Sequence, residues 1–120
     1  MAKILVVDDS VTMRQMISFT LEKATHEVVC ADNGKTGLIA CNDTQFELII
    51  TDLNMPDMGG FEFIKELRAR EGTKVTPILV LTTESDASKK AQGRAVGATG
   101  WIVKPFNPQA LLDVLPRVLS

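Results

Sequence analysis

Five short apolar runs, rich in valine and isoleucine, alternate along the chain with segments of helical periodicity. Each run has the length of a β-strand, and its nearly unbroken apolar character is typical of parallel strands that helices cover on both faces. We predict strands at residues 3–7, 27–31, 46–51, 77–82 and 100–103, and helices at 11–24, 34–42, 60–70, 86–96 and 108–119. This alternation predicts an α/β fold, a doubly wound parallel sheet of five strands.

Two of the predicted helices contain residues that weaken them. Pro116 lies inside the last helix, where its missing backbone N–H is expected to kink or shorten the helix. In the fourth helix the inward positions are expected to be mainly Ala87, Ala91 and Ala95; the helix also contains Gly93, and Gly97 follows it. Such small side chains bury little apolar surface, so we predict that the fourth helix shifts more easily than its neighbours.

The composition limits the possible classes of function. A chain of 120 residues, 45% hydrophobic and 23% charged, has the size and content of one globular domain, which we place at residues 1–120. The formal charge of −2 and the lack of a basic tract argue against nucleic-acid binding. The first apolar run, residues 4–7, is far too short for a signal peptide or a membrane span and acids follow it at once, so we expect a cytoplasmic protein. No large unexplained apolar run argues against a monomer.

The cysteines and the single histidine do not have the spacing of a metal site. Cys30 and Cys41 are eleven residues apart without a CxxC pair, and His26 has no partner ligand nearby. We expect both cysteines to be small core residues of a protein kept in a reducing compartment. His26 is expected to be a solvated residue before a strand.

Charged and hydroxyl side chains follow four of the five predicted strands at the carboxyl ends, where open parallel sheets bind their ligands. Asp8 and Asp9 follow the first strand and Asp52 follows the third, while Thr82 and Lys104 come at the ends of the fourth and fifth. Two carboxylates about 4 Å apart repel each other by on the order of 4 kcal/mol at an effective dielectric constant near 20, so the cluster needs a cation. Lys104 alone leaves it negative, and Mg²⁺ suits the oxygen ligands. The set favours phosphoryl transfer to a carboxylate.

Four stretches that cover nearly the whole chain match one known family. In order they are ILVVDDS, TDLNMPDMGG, ILVLTTE and GWIVKPF. The chain resembles the receiver domains of two-component response regulators, most closely the single-domain kind that acts in chemotaxis. This resemblance implies a flavodoxin-like fold with strand order 2-1-3-4-5. It also implies that Asp52 is the phosphate acceptor and that Mg²⁺ is held by Asp8, Asp9, Asp52 and the backbone carbonyl of Asn54. The side chains of Asn54 and Glu84 would tune the loss of the phosphate.

The resemblance implies a conformational switch beside the acceptor. Thr82 would hydrogen-bond the phosphoryl group and Lys104 would pair with it, with the Lys104–Pro105 bond in the cis form. Trp101 occupies the family's aromatic switch position, although a tyrosine or phenylalanine is usual there. Phosphorylation would draw the Thr82 hydroxyl inward, and the vacated space would admit the indole from the surface.

The resemblance implies a signalling protein that catalyses only its own phosphorylation and dephosphorylation, rather than an enzyme with a separate substrate. A sensor histidine kinase would phosphorylate Asp52, and the face of the fourth helix, fifth strand and fifth helix would change its affinity for a partner. No effector domain follows Ser120, so the output is expected to be protein contact, with a flagellar motor switch protein as the expected partner.

Three alternatives use a similar fold or site. A phosphorelay intermediate or phosphate sink would pass the phosphate on to a histidine phosphotransfer protein. A flavodoxin-type FMN carrier would have to bind a phosphate after the first strand, where Asp8 and Asp9 repel it. A phosphoaspartyl hydrolase would need a DxD motif at that strand, which DDS lacks.

Overall fold

The predicted strands and helices are all present in the structure, a computed structural model that describes residues 1–119. Every predicted boundary lies within two residues of the observed one. The strands are β1 Lys3–Val7, β2 Glu27–Ala31, β3 Leu48–Thr51, β4 Ile78–Thr82 and β5 Gly100–Val103. The helices are α1 Val11–Lys23, α2 Gly34–Asp43, α3 Gly60–Ala69, α4 Ala87–Val96 and α5 Pro108–Leu119.

All five strands are parallel and lie in the order β2-β1-β3-β4-β5, as the resemblance implied. The register sets Val7 of β1 opposite Thr51 of β3, and Thr82 of β4 opposite Val103 of β5. Parallel strands that end level with one another place the residues that follow them at the same edge of the sheet. The register therefore brings the acidic residues after β1 and β3 side by side.

The sheet separates two hydrophobic cores because successive side chains of a strand point to opposite faces. In β1, Ile4 and Val6 face one core, while Leu5 and Val7 face the other, and all four are at most 1% exposed. Helices α1 and α5 cover the first face with Ile17, Leu21, Leu111 and Leu115. Helices α2 and α3 cover the second face with Leu38, Phe63, Ile64 and Leu67. Both faces of β1 are therefore covered, as its unbroken apolar run predicted.

Helix α4 packs differently from the prediction. Ala87, Ala91 and Ala95 are exposed, and Gly93 is the one residue of this helix that is buried. The expected inward positions were wrong because the helix approaches the sheet through Gly93, about half a turn away from the alanine row. How easily α4 shifts stays a prediction.

The carboxyl end of α4 is held by a residue of α3. Nε and Nη2 of Arg68 donate hydrogen bonds to the carbonyl oxygen of Gly97, at 3.0 and 2.8 Å. Gly97 ends α4 in the left-handed conformation, with φ of 115°. A Cβ at this position would also lie 2.8 Å from Cγ of Arg68, so both the backbone conformation and the close approach favour glycine.

Three smaller expectations need correction. Cys30 is exposed and Cys41 is half-buried, so neither is a core residue; Cys30 lies in β2, an edge strand that the helices cover incompletely. His26 is half-buried, and its Nδ1 accepts a hydrogen bond from the backbone N–H of Ala2 at 3.0 Å. Pro116 does not shorten α5, which continues through it to Leu119, and a kink at Pro116 stays a prediction. Within residues 1–119, no helix has the length and apolar content needed to cross a membrane.

Candidate functional site

Three carboxylates meet at the edge of the sheet where β1 and β3 end. One carboxylate oxygen each from Asp8, Asp9 and Asp52 lies within 4.8 Å of the other two. Asp8 is 1% exposed and Asp52 is 8% exposed, whereas Asp9 is open to solvent. The structure therefore brings together the three acids that the sequence singled out, and it buries two of them.

The two buried carboxylates are held in the same way. Oδ1 of Asp8 accepts the backbone N–H of Ser10 at 2.9 Å, and Oδ1 of Asp52 accepts the backbone N–H of Leu53 at 2.7 Å. The other oxygen of each, Oδ2, faces the ammonium of Lys104, at 2.8 Å for Asp8 and 3.3 Å for Asp52. Each carboxylate thus has one oxygen bound to the backbone and one bound to a cation, which offsets much of the cost of burial.

Lys104 is the first residue after β5 and reaches across the sheet edge to both acids. Burial lowers the pKa of Lys104, but the hydrogen bond to Asp8 and the negative charges of Asp52 and Asp8 outweigh it, so the pKa is raised. The side chain is therefore an ammonium at neutral pH. The Lys104–Pro105 peptide bond is cis, as expected.

Thr82 ends β4 near the acids and is fully buried. Its Oγ1 accepts the backbone N–H of Glu84 at 3.3 Å, so the hydroxyl is bound to the following loop and not to Asp52. Among the described residues, the side chains of Asn54 and Glu84 make no hydrogen bond or ion pair, and Asn54 is exposed. The structure therefore places these two side chains beside the site but gives them no fixed contact.

The indole of Trp101 is half-buried, whereas the switch predicted a ring at the surface before phosphorylation. Its Nε1 donates a hydrogen bond to the carbonyl oxygen of Glu84 at 2.9 Å, and its ring packs with the second core. The backbone N–H of Glu84 thus donates to the hydroxyl of Thr82, and the carbonyl oxygen of the same residue accepts the indole N–H of Trp101. The hydroxyl and the indole are joined through one residue of the β4–α4 loop.

Three residues that support the site were missed in the sequence. The side chain of Ser10 caps α1 by accepting the backbone N–H of Met13 at 3.2 Å, and a serine directly before a helix was a signal that could have revealed it. Gly60 begins α3 so close to β3 that a Cβ would lie 2.4 Å from the carbonyl oxygen of Asp52. Nη1 of Arg14 donates to the carbonyl oxygen of Asp8 at 2.6 Å, a tertiary contact with no local signal.

The donor set of the site fits a hard divalent cation. Three carboxylates against one ammonium leave a formal charge of −2, and carboxylate oxygens are the ligands that Mg²⁺ prefers. The buried positions of Asp8 and Asp52 limit solvent screening of that charge. The arrangement can thus accept a cation and bring a phosphoryl group against an oxygen nucleophile.

Comparisons with known proteins agree with this geometry. The family described as response regulator receiver domain matches residues 4–116. A chemotaxis protein CheY homologue of Campylobacter jejuni is 40% identical over 98% of this chain and 92% of its own length, and the protein PilH of Pseudomonas aeruginosa is 32% identical over 100% and 99%. The structure of the chemotaxis response regulator CheY4 of Vibrio cholerae superimposes with a TM-score of 0.94 at 55% identity, covering 99% of both chains. The chain therefore belongs to the receiver domain family of response regulators.

Proposed function

We propose that the protein is a single-domain response regulator, residues 1–120, that accepts a phosphoryl group on Asp52 from a sensor histidine kinase in the cytoplasm. The observation that carries this proposal is the bridge from Lys104 to both buried carboxylates, with Asp9 beside them. Membership of the receiver family supports it. The protein would act as a signalling component and not as an enzyme with a separate substrate.

Asp52 is the nucleophile in this proposal because the match to the receiver family gives it the acceptor position, while Asp8, which has the same two kinds of contact, is assigned to the metal. A carboxylate oxygen attacks phosphorus, and the bond from phosphorus to the kinase histidine breaks with its electron pair returning to nitrogen. Lys104 and the hydroxyl of Thr82 would then neutralise the oxygens of the transferred group. When bound, Mg²⁺ would supply further positive charge there, held by Asp8, Asp9, Asp52 and the carbonyl of Asn54.

The signal would leave the site through the loop that follows β4. A phosphoryl group would accept the O–H of Thr82 and draw the hydroxyl inward, which would move the oxygen that now accepts the N–H of Glu84, and the carbonyl of Glu84 accepts the indole N–H of Trp101. The face formed by α4, β5 and α5 would then change its affinity for a partner. Helix α4 carries Lys89, Lys90 and Arg94 and no acidic residue, so a partner segment with acidic side chains suits this face.

Phosphorylation of Asp52 is tested with radiolabelled acetyl phosphate and Mg²⁺. We expect the unmodified protein and Asp57→Asn to incorporate label, and Asp52→Asn to incorporate none. Asp57 is an exposed acid on the loop after β3 and serves as the matched control. Equal incorporation by the Asp52→Asn variant and the unmodified protein would contradict the proposal.

The partner is proposed to be a flagellar motor switch protein, because the CheY relatives have chemotaxis in their names. The name of the relative PilH does not mention chemotaxis, so a second candidate is kept, a phosphorelay intermediate or phosphate sink that would use the same acceptor. Binding to purified motor switch protein only in the presence of acetyl phosphate would support the first. Transfer of label from Asp52 to a histidine phosphotransfer protein, without motor binding, would support the second. The FMN carrier is not proposed, because the chain belongs to the receiver family.

A further inference from the structure

Gly93 leaves a gap in the surface of α4, and the ring of Trp101 occupies it. A Cβ built on Gly93 would lie 2.6 Å from Cζ3 and 3.1 Å from Cε3 of Trp101, and 3.5 Å from Cε1 of Phe61 in α3. Carbon atoms in favourable contact are about 3.5–4.0 Å apart, so any side chain at residue 93 would overlap the indole. The close fit exists only because this residue has no side chain.

Glycine is unexpected here on helical grounds. Apart from proline, it is the residue least favourable to a helix interior, and Gly93 lies inside α4, three residues before its last residue, Val96. The three alanines of this helix, Ala87, Ala91 and Ala95, are exposed. The glycine therefore stands at the buried position of α4, where a methyl group would meet the ring of Trp101.

We propose that Gly93 is a positioning residue for the switch, a notch that admits the indole of Trp101 and so sets where the ring rests. Its effect on signalling rests on the proposed phosphorylation of Asp52, whereas its effect on the resting position of the ring does not. A tryptophan is larger than the aromatic residues usual at this position, and the missing side chain of residue 93 supplies the extra room. The size of residue 93 and the size of residue 101 are matched to each other.

The notch connects the phosphorylation site to α4 through a short series of contacts. Thr82 accepts the N–H of Glu84, the carbonyl of Glu84 accepts Nε1 of Trp101, and the ring of Trp101 lies against Gly93. At its far end α4 is held by Arg68. Movement of the indole would therefore act on α4 at the start of its last turn, just before the carboxyl end that Arg68 anchors.

A stability measurement separates the notch from an ordinary helical glycine. If helix propensity alone decided the effect at residue 93, and the contact with Trp101 did not matter, Gly93→Ala would lower the unfolding equilibrium constant about fivefold. With the notch, the added methyl group strains a packed site and raises that constant by about tenfold. In a Trp101→Leu background the overlap with the ring is absent, and we expect the same substitution to lower the constant. This second background keeps the test informative if Gly93→Ala alone folds poorly.

The position of the ring can be observed directly, because Trp101 is the only tryptophan and the chain has no tyrosine. We expect Gly93→Ala to shift tryptophan emission to longer wavelength and to increase acrylamide quenching. Gly72→Ala is the matched control, since a Cβ there has no neighbour closer than 4.0 Å, and it should leave the emission unchanged. In the unmodified protein acetyl phosphate should change the emission, and Gly93→Ala should reduce that response.

The possible failures are distinct. Unchanged emission in Gly93→Ala, with a lower unfolding constant in both backgrounds, would overturn the notch even if Asp52 is phosphorylated normally. Failure of the unmodified protein to incorporate label would overturn the proposed function, while a red shift in Gly93→Ala would still support the notch as what sets the resting position of the ring.

Discussion

The ammonium of Lys104 lies 2.8 Å from Oδ2 of Asp8, a carboxylate that is 96 residues away in the chain and 1% exposed. Removing one partner of a buried ion pair leaves the other charge uncompensated. We expect Lys104→Met to lower the free energy of unfolding in EDTA by about 3 kcal/mol, measured by urea unfolding.

Lys3→Met is the matched control for this prediction. Lys3 pairs with Glu27 at 3.5 Å, and the two side chains are 38% and 52% exposed against 12% and 1% for Lys104 and Asp8, so its loss should cost less than about 1 kcal/mol. Equal destabilisation by the two substitutions would mean that the bridge to Asp8 contributes no more than a surface pair.

Asp9 adds negative charge to the site without a hydrogen bond or ion pair of its own among the described residues. In EDTA we expect Asp9→Asn to raise the free energy of unfolding by about 0.5 kcal/mol, a value reduced by solvent screening at this exposed position. With saturating Mg²⁺ the order should reverse, because the variant lacks one carboxylate ligand. Thermal melts with and without Mg²⁺ measure both effects. Asp57→Asn is the control, and a variant as strongly stabilised by Mg²⁺ as the unmodified protein would refute the role of Asp9.

The two thiols should differ in reactivity. Burial raises the pKa of Cys41 above its ordinary value of 9.0, and the charge of Arg70 opposes this only in part, so less thiolate is present at any given pH. In native Cys30→Ser, which keeps only Cys41, we expect a slow reaction with DTNB whose rate is still rising above pH 9.0. Native Cys41→Ser, which keeps the exposed Cys30, should react faster. Equal DTNB rates for the two folded variants would contradict the burial of Cys41. As the control, the two variants unfolded in urea should react at equal rates.

The guanidinium of Arg68 holds several carbonyl groups that a lysine could not hold together. Besides Gly97, its Nη1 donates to the carbonyl oxygens of Thr73 at 2.9 Å and Thr76 at 2.7 Å. We expect Arg68→Lys to cost about 2 kcal/mol, since an ammonium lacks the planar set of donors. Hydrogen exchange at the end of α4 should become faster. Arg94→Lys, on the exposed face of α4, is the control and should change neither measurement.

Thr25 follows α1 in the left-handed conformation, with φ of 72°, which is unfavourable for a β-branched residue. Replacing it by glycine removes that strain at the position where helices commonly end in glycine. We expect Thr25→Gly to raise the free energy of unfolding by about 1 kcal/mol. Thr44→Gly, at the extended end of α2 with φ of −133°, should give no gain. A loss of stability in Thr25→Gly would show that the threonine contacts outweigh the strain.

Much of the fold could be predicted because its signals are local. Strand length, helical periodicity and turn residues placed every element, and the polar residues at the ends of β1, β3, β4 and β5 identified the edge that carries the site. Burial was predicted less well. The alanines of α4 and Cys30 were expected inside and lie outside, because exposure depends on which distant element covers a residue.

The sequence by itself determined the alternation of strands and helices and the gathering of Asp8, Asp9 and Asp52, since parallel strands of similar length must deliver their final residues to one edge. Only the tertiary structure decided that Lys104 binds Asp8 and Asp52 and that Trp101 rests against Gly93. These pairings depend on how far each side chain reaches and on what space its neighbours leave, and neither quantity is encoded within a single element. Packing, more than local propensity, therefore selected the contacts that surround the candidate phosphorylation site.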